Sequence, residues 1–179
     1  MTNQLQLAWQ LAARHHDGQR YSTPTKGDTV PYLTHLGAVL IEAEEALLHE
    51  SGLDRELTLL CAILHDSLED TELRPIDIED HFGPAVLAGV KALTKDESLP
   101  TKREQMEDSL DRILAQPEEC AVVKLCDRIC NLVPPPAHWD DDKISAYRKE
   151  AQLILDRLGH TCPFLATRLA QKIAAYPAG

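Results

Sequence analysis

The chain has 179 residues, 44% of them hydrophobic, and 18 basic against 29 acidic side chains give it a formal charge of −11. That length suits one domain of roughly 100–200 residues with a core that needs no disulfide staples, and the composition excludes a disordered chain. The acidity argues against a nucleic-acid partner, and no stretch reaches the roughly 18 apolar residues of a membrane span, so the expected compartment is the cytoplasm.

Leu5, Ala8, Leu11 and Ala12 recur at helical spacing and predict a first helix that reaches His15 and His16 and stops at Asp17-Gly18. This segment is too polar and too periodic for a signal peptide. Residues 19–32, with Pro24, Gly27 and Pro31, read as a loop. A second helix is predicted from about Thr34 to His49, stopped by Ser51-Gly52. The third starts at Asp54, a suitable N-cap, and runs through LTLLCAIL into the polar residues that follow.

Between Leu73 and Leu93 two short helices should meet at Phe82-Gly83-Pro84, and another should run from Leu99-Pro100-Thr101 to Gln116-Pro117. Residues 118–133 form a strongly apolar helix that Pro134-Pro135-Pro136 must break, because proline lacks the amide donor. Helices over 141–158 and 163–175 complete the chain. With no repeat, linker or strand-like alternation, the expected fold is all-α, a single-domain helical bundle over residues 1–179.

The third helix carries an anomaly. Apolar LTLLCAIL is followed at once by His65, Asp66, Glu69 and Asp70, and buried ionisable groups are costly unless a metal or counter-charges neutralise them. On a continuous helix His65 and Glu69, and Asp66 and Asp70, would form two adjacent ridges. His35 stands near the start of the second helix, and Asp127 lies inside AVVKLCDRICNLV, where an aspartate needs a partner. His35, His65, Asp66 and Asp127 would then come from three helices, as internal metal sites in bundles do. Two imidazoles and two carboxylates suit Mn²⁺, Fe²⁺ or Zn²⁺.

These residues resemble the hydrolase domain of the RelA/SpoT family, particularly its stand-alone small alarmone hydrolases related to the metazoan SpoT homologue. The resemblance covers about residues 5–160 and rests on His16-Asp17-Gly18-Gln19-Arg20, Pro31-Tyr32-Leu33-Thr34-His35, His65-Asp66-Ser67-Leu68-Glu69-Asp70-Thr71, His81-Phe82-Gly83 and Lys124-Leu125-Cys126-Asp127-Arg128-Ile129-Cys130-Asn131-Leu132. It implies an HD-domain phosphohydrolase fold and a hydrolase that uses one Mn²⁺ ion to remove pyrophosphate from the 3′ position of ppGpp and pppGpp.

The same resemblance assigns roles. His35, His65, Asp66 and Asp127 match its metal ligands, and Glu69 and Asp70 its acidic pair that orients or activates water. Arg20 matches the arginine that packs on guanine, and Asn131 and Tyr147 match positions near the nucleoside. Lys124 and Arg128 flank Asp127 and could complement phosphate or balance the acidic site. Three departures stand out. Tyr21 follows Arg20 where the family has lysine, adding stacking surface and losing a charge; Leu36 follows His35 in place of proline; and Glu97 stands where a lysine often lies near the phosphates. Lys95, Lys102 or Arg103 could replace that lysine, or substrate preference differs.

Other residues have plainer expectations. Cys61, Cys126 and Cys130 read as core packing, and five cysteines without paired CxxC spacing make no disulfide framework. Asp140-Asp141-Asp142 reads as a solvated helix start containing an N-cap, and His16 as either a site residue or a hydrogen-bonded structural one. The competing functions are an HD hydrolase acting on an adenosine alarmone or another nucleotide ribose phosphate, a non-catalytic module that binds alarmone, and a structural helical adaptor. The hydrolase resemblance leaves no room for a synthetase domain, so degradation of a small nucleotide is the expected activity; the sequence does not specify an oligomeric state.

Overall fold

The computed structural model describes residues 2–179 except 24, 26 and 137, so Pro24 of the expected loop lies outside it. The chain folds as α1 (Thr2–His15), a hairpin of β1 (Arg20–Ser22) and β2 (Thr29–Pro31), α2 (Leu33–His49), α3 (Arg55–Leu64), α4 (Ser67–Asp70), α5 (Pro75–Phe82), α6 (Pro84–Leu93), α7 (Lys102–Leu114), α8 (Glu118–Asn131), α9 (Asp141–Leu158) and α10 (Pro163–Ala175). The all-α reading is borne out, and the last two helices fall where the sequence placed them. None of the described helices is long and apolar enough to cross a membrane.

Helix α8 is the axis of the bundle. Every residue from Glu119 to Ile129 is buried, and α2, α3, α6, α7, α9 and α10 all pack on it. Its polar residues Lys124, Asp127, Arg128 and Asn131 recur at helical spacing as one stripe, and charges buried in this way need partners. Its neighbour α3 buries Thr58 through Leu64 without a gap. Each fully buried leucine or isoleucine in such a core contributes about 1.5–3 kcal/mol.

Local chemistry sets the boundaries. Asp54 accepts hydrogen bonds from the Glu56 and Leu57 amides at the head of α3, Thr101 from the Glu104 amide of α7, and Asp140 from the Lys143 amide of α9. Gly83, at φ +86°, turns the chain between α5 and α6 in a conformation that costs glycine least. All five cysteines are free thiols, and only Cys130 is not fully buried.

The structure corrects two expectations. Residues 19–32 are not loop throughout: Arg20 pairs with Pro31, Tyr21 with Val30 and Ser22 with Thr29 in an antiparallel hairpin. The continuous third helix is also interrupted, because α3 ends at Leu64 and Asp66 has ψ near −1° before the four-residue α4 begins. Two ridges on one helix therefore do not form. Adjacent side chains on a regular helix diverge by about 100°, whereas this bend turns His65 and Asp66 toward each other.

Candidate active site

Three elements converge beneath the hairpin. His35 comes from the first turn of α2, His65 and Asp66 from the bend after α3, and Asp127 from the third turn of α8. Ligand atoms of His35, His65 and Asp127 all lie within 4.8 Å of one another. His35 Nε2 is 3.4 Å from Asp127 Oδ1 and 3.6 Å from Asp66 Oδ2; His65 Nε2 is 2.9 Å from Asp66 Oδ2 and 3.8 Å from Asp127 Oδ1.

Both histidine Nε2 atoms are buried without a hydrogen-bond partner of proper geometry among the described residues. Buried polar atoms are normally satisfied, and two orphans aimed at two carboxylates fit a divalent cation. His65 Nδ1 contacts Ala62 O at 2.9 Å, which leaves its Nε2 lone pair for an ion. Burial opposes protonation of His35, yet Asp127 and Asp66 raise its pKa to about 9 without a metal. Burial likewise opposes ionisation of Asp127, but Lys124, His35 and His65 hold it well below the usual carboxylate range.

The carboxylates are tethered from outside. Tyr32 OH donates to Asp66 Oδ2 at 2.5 Å and lies 3.4 Å from Asp70 Oδ2. Asn131 Nδ2 donates to Asp127 Oδ1 at 2.5 Å, and Lys124 Nζ to Asp127 Oδ2 at 3.2 Å. Asp70 is exposed on the rim, and partial burial with the charges of Asp66 and Glu69 raises its pKa. Glu69 accepts from both the backbone amide of Lys95, at 3.0 Å, and its Nζ, at 3.1 Å.

The residues assigned to substrate occupy varied positions. Arg20 is exposed but folds back on the hairpin, donating from Nε to Thr29 Oγ1 at 3.1 Å and from its terminal nitrogen to Thr29 O at 2.6 Å. Tyr21 turns inward onto His35 and Asn131. Lys124 is buried on Asp127, and Arg128 is buried between Glu150, to which it donates, and the Tyr147 ring, 4.4 Å away. Tyr147 is half-buried and meets Trp139 edge to face at 5.2 Å.

Three residues reach this site without an expected role in it, and Lys95, expected as a stand-in for a phosphate lysine, reaches it by holding Glu69. Tyr32 bridges Asp66 and Asp70, and Gln19 donates to Asp70 O at 2.6 Å while contacting His16 Nδ1 at 2.7 Å. Glu150 holds Arg128. Tyr32, three residues before His35 on the entry to α2, and Gln19, inside the His16–Arg20 motif, both had a local signal.

Residues 8–162 match the HD domain family model. The chain belongs to the HD-domain family. Its relatives include the guanosine-3′,5′-bis(diphosphate) 3′-pyrophosphohydrolase MESH1 of Mus musculus, 31% identical over 173 residues that make up 94% of this HD domain chain and 92% of the relative. The guanosine-3′,5′-bis(diphosphate) 3′-pyrophosphohydrolase of Aquifex aeolicus (strain VF5) is 35% identical over 159 residues, which are 88% of this chain and 21% of that one. A solved metazoan ortholog of SpoT, which hydrolyzes ppGpp and plays a role in starvation responses, superposes with TM-score 0.83 at 27% identity, covering 98% of this chain and 97% of its own. The resemblance read from the motifs therefore holds, and this HD domain has a metal-dependent hydrolase fold with a buried His/Asp group able to bind the metal.

Proposed function

We propose that this chain is a metal-dependent 3′-pyrophosphohydrolase that converts ppGpp and pppGpp to GDP and GTP with release of pyrophosphate. The observation that carries the reading is the convergence of orphaned His35 Nε2 and His65 Nε2 on Asp127 and Asp66, with Asp70 one tyrosine hydroxyl away. Relatives named for this activity support it over most of the chain. The HD domain is taken as one unit over residues 1–179, cytoplasmic, with a small nucleotide as its partner and neither nucleic acid nor membrane.

His35, His65, Asp66 and Asp127 would hold one Mn²⁺. When bound, such an ion lowers the pKa of a coordinated water and neutralises charge at the phosphorus. Asp70 is then the proton acceptor: it is exposed at the rim, and its raised pKa brings it nearer the operating pH of a general base. Tyr32 has one hydroxyl proton, and the short contact to Asp66 takes it. The longer contact lets the Tyr32 oxygen accept a hydrogen bond from Asp70 once that carboxyl is protonated. Lys124 and Arg128 balance the buried acidic charge, while Arg20 and Tyr147, with Tyr21 and Asn131 behind them, form the nucleoside side.

Tyr21 supports a second reading. A phenol supplies no cation to the nucleotide, and the Tyr21 hydroxyl is already engaged by Asn131; the lost charge favours a wider nucleotide range that includes the adenosine counterpart. Turnover of ppGpp, its adenosine counterpart and a nucleoside 3′-phosphate by chelated protein restored with Mn²⁺, Fe²⁺ or Zn²⁺ tests both. Pyrophosphate from ppGpp with Mn²⁺, abolished by Glu69→Gln or Asp70→Asn, is the expected result. Turnover confined to the adenosine substrate favours the second reading, and stoichiometric binding without turnover by any metal-replete form contradicts both.

A further inference from the structure

Glu69 is held by the loop that leaves α6, 26 residues away in sequence. Its two carboxylate oxygens are taken separately, Oε2 by the Lys95 amide at 3.0 Å and Oε1 by Lys95 Nζ at 3.1 Å. One residue thus fixes both ends of the carboxylate, which a side-chain ion pair alone does not do. Both side chains are about three-quarters covered, 25% exposed for Lys95 and 22% for Glu69, so the contact is screened less than a surface pair.

The Lys95 amide can aim only if the end of α6 is rigid, and the structure braces it from behind. The last carbonyls of a helix lack intrahelical partners. Arg112, on α7, supplies them: its guanidinium donates to Lys91 O, to Ala92 O at 3.2 Å and to Thr94 O at 2.8 Å. Asp108 fixes Arg112 Nε at 2.8 Å, Ser109 Oγ adds a donor to Ala92 O at 2.8 Å, and Thr94 Oγ1 donates to Val90 O at 2.9 Å. Thr94 O belongs to the same peptide group as the Lys95 amide, so Arg112 and Glu69 grip opposite sides of one peptide plane.

We infer that Lys95 is the positioning residue for Glu69, and that Arg112, which touches nothing in the site, sets the aim of Lys95 through the Thr94–Lys95 peptide. The inference rests on the hydrolase reading for its kinetic consequence, but not for the clamp itself. Charge enters as well as geometry: Asp66, Asp70 and Asp127 share this corner, and Lys95 is the cation that makes Glu69 tolerable beside them. A misplacement of about 1 Å in a reacting group costs about 10²-fold.

Two measurements separate the clamp from the reaction. Amide hydrogen exchange at Lys95 in full-length wild type, Glu69→Gln and Arg112→Met reads the clamp without substrate. Slow exchange in wild type that accelerates at least tenfold in both variants supports it, and equal rates overturn it whatever the substrate is. Steady-state kinetics then read its use. Lys95→Met should lower kcat by 10- to 100-fold with KM and Mn²⁺ affinity within about threefold, Lys95→Arg should recover part of the loss, and Arg112→Met should lose activity alone but add nothing to Lys95→Met. A loss confined to KM would make Lys95 a phosphate contact and overturn the positioning role, as would Arg112→Met and Lys95→Met losses that multiply. Arg112→Lys serves if Arg112→Met fails to fold. An inactive wild type with a slow Lys95 amide would fault the hydrolase reading and leave the clamp standing.

Discussion

Tyr21 lies nearly parallel to His35, ring centroids 5.1 Å apart and planes 20° from each other, and its hydroxyl donates to Asn131 Oδ1 at 3.0 Å. Asn131 passes the connection to Asp127 Oδ1 at 2.5 Å. One aromatic residue of the hairpin therefore braces a histidine of α2 and an aspartate of α8, two of the residues that would hold the proposed ion.

Loss of the Tyr21 hydroxyl should loosen this brace without removing a ligand. Partners of metal ligands typically contribute 10- to 100-fold in affinity, so Asn131→Ala should weaken Mn²⁺ binding by about that factor. Tyr21→Phe, which keeps the stacked ring, should lose less. Titration of chelated protein with Mn²⁺ ranks the two variants, and equal affinities for both and wild type would remove the brace.

Lys124 is buried against Asp127. Removing one partner of a buried pair costs about 3–5 kcal/mol because the other charge is stranded. Lys124→Met should therefore destabilise the metal-free protein by several kcal/mol and the Mn²⁺-loaded protein by less, since the ion supplies the missing charge. Denaturant titrations with and without metal measure both.

The pH behaviour of the metal-free protein follows from His35. Its folded pKa, about 9, lies above the ordinary 6.5, so folding favours the protonated form. That stabilisation is fully present below pH 6.5 and disappears as pH rises through about 9. Melting temperature of chelated protein should fall over this window, and the fall should shrink when Mn²⁺ replaces the proton.

Gly89 tests the core under the site. A methyl group there would stand 2.8 Å from Cys61 Sγ and 2.9 Å from Cys120 Sγ, closer than such atoms approach. Overpacking of this kind costs about 1–3 kcal/mol. Gly89→Ala should lower the melting temperature, and Cys61→Ala or Cys120→Ala in the same chain should recover part of the loss.

Much of this molecule is legible from local chemistry. Asp54, Thr101 and Asp140 announce helix starts because their side chains satisfy amides that the next turn leaves free. His35, Asp66 and Asp127 are conspicuous because a charge among apolar residues demands a partner. The hairpin was not legible: strands of three residues are too short for one inward-facing residue each, Tyr21 and Val30, to stand out as a period, and Pro31 and Gly27 read as loop. Nor was the break at His65-Asp66, since an apolar run gives no sign of where its hydrogen-bond ladder stops. Lys95 and Glu69 meet only because α6 packs beside α4, a tertiary fact that no local pattern contains.

Hydrolysis of ppGpp in ¹⁸O-labelled water, by chelated protein resupplied with Mn²⁺, tests the proposed reaction most directly. Attack at the phosphorus of the 3′ ester predicts GDP and pyrophosphate in equal amounts, with one labelled oxygen in the pyrophosphate and none in the ribose. No product, release of phosphate from the 5′ end, or label on the 3′ hydroxyl would contradict it.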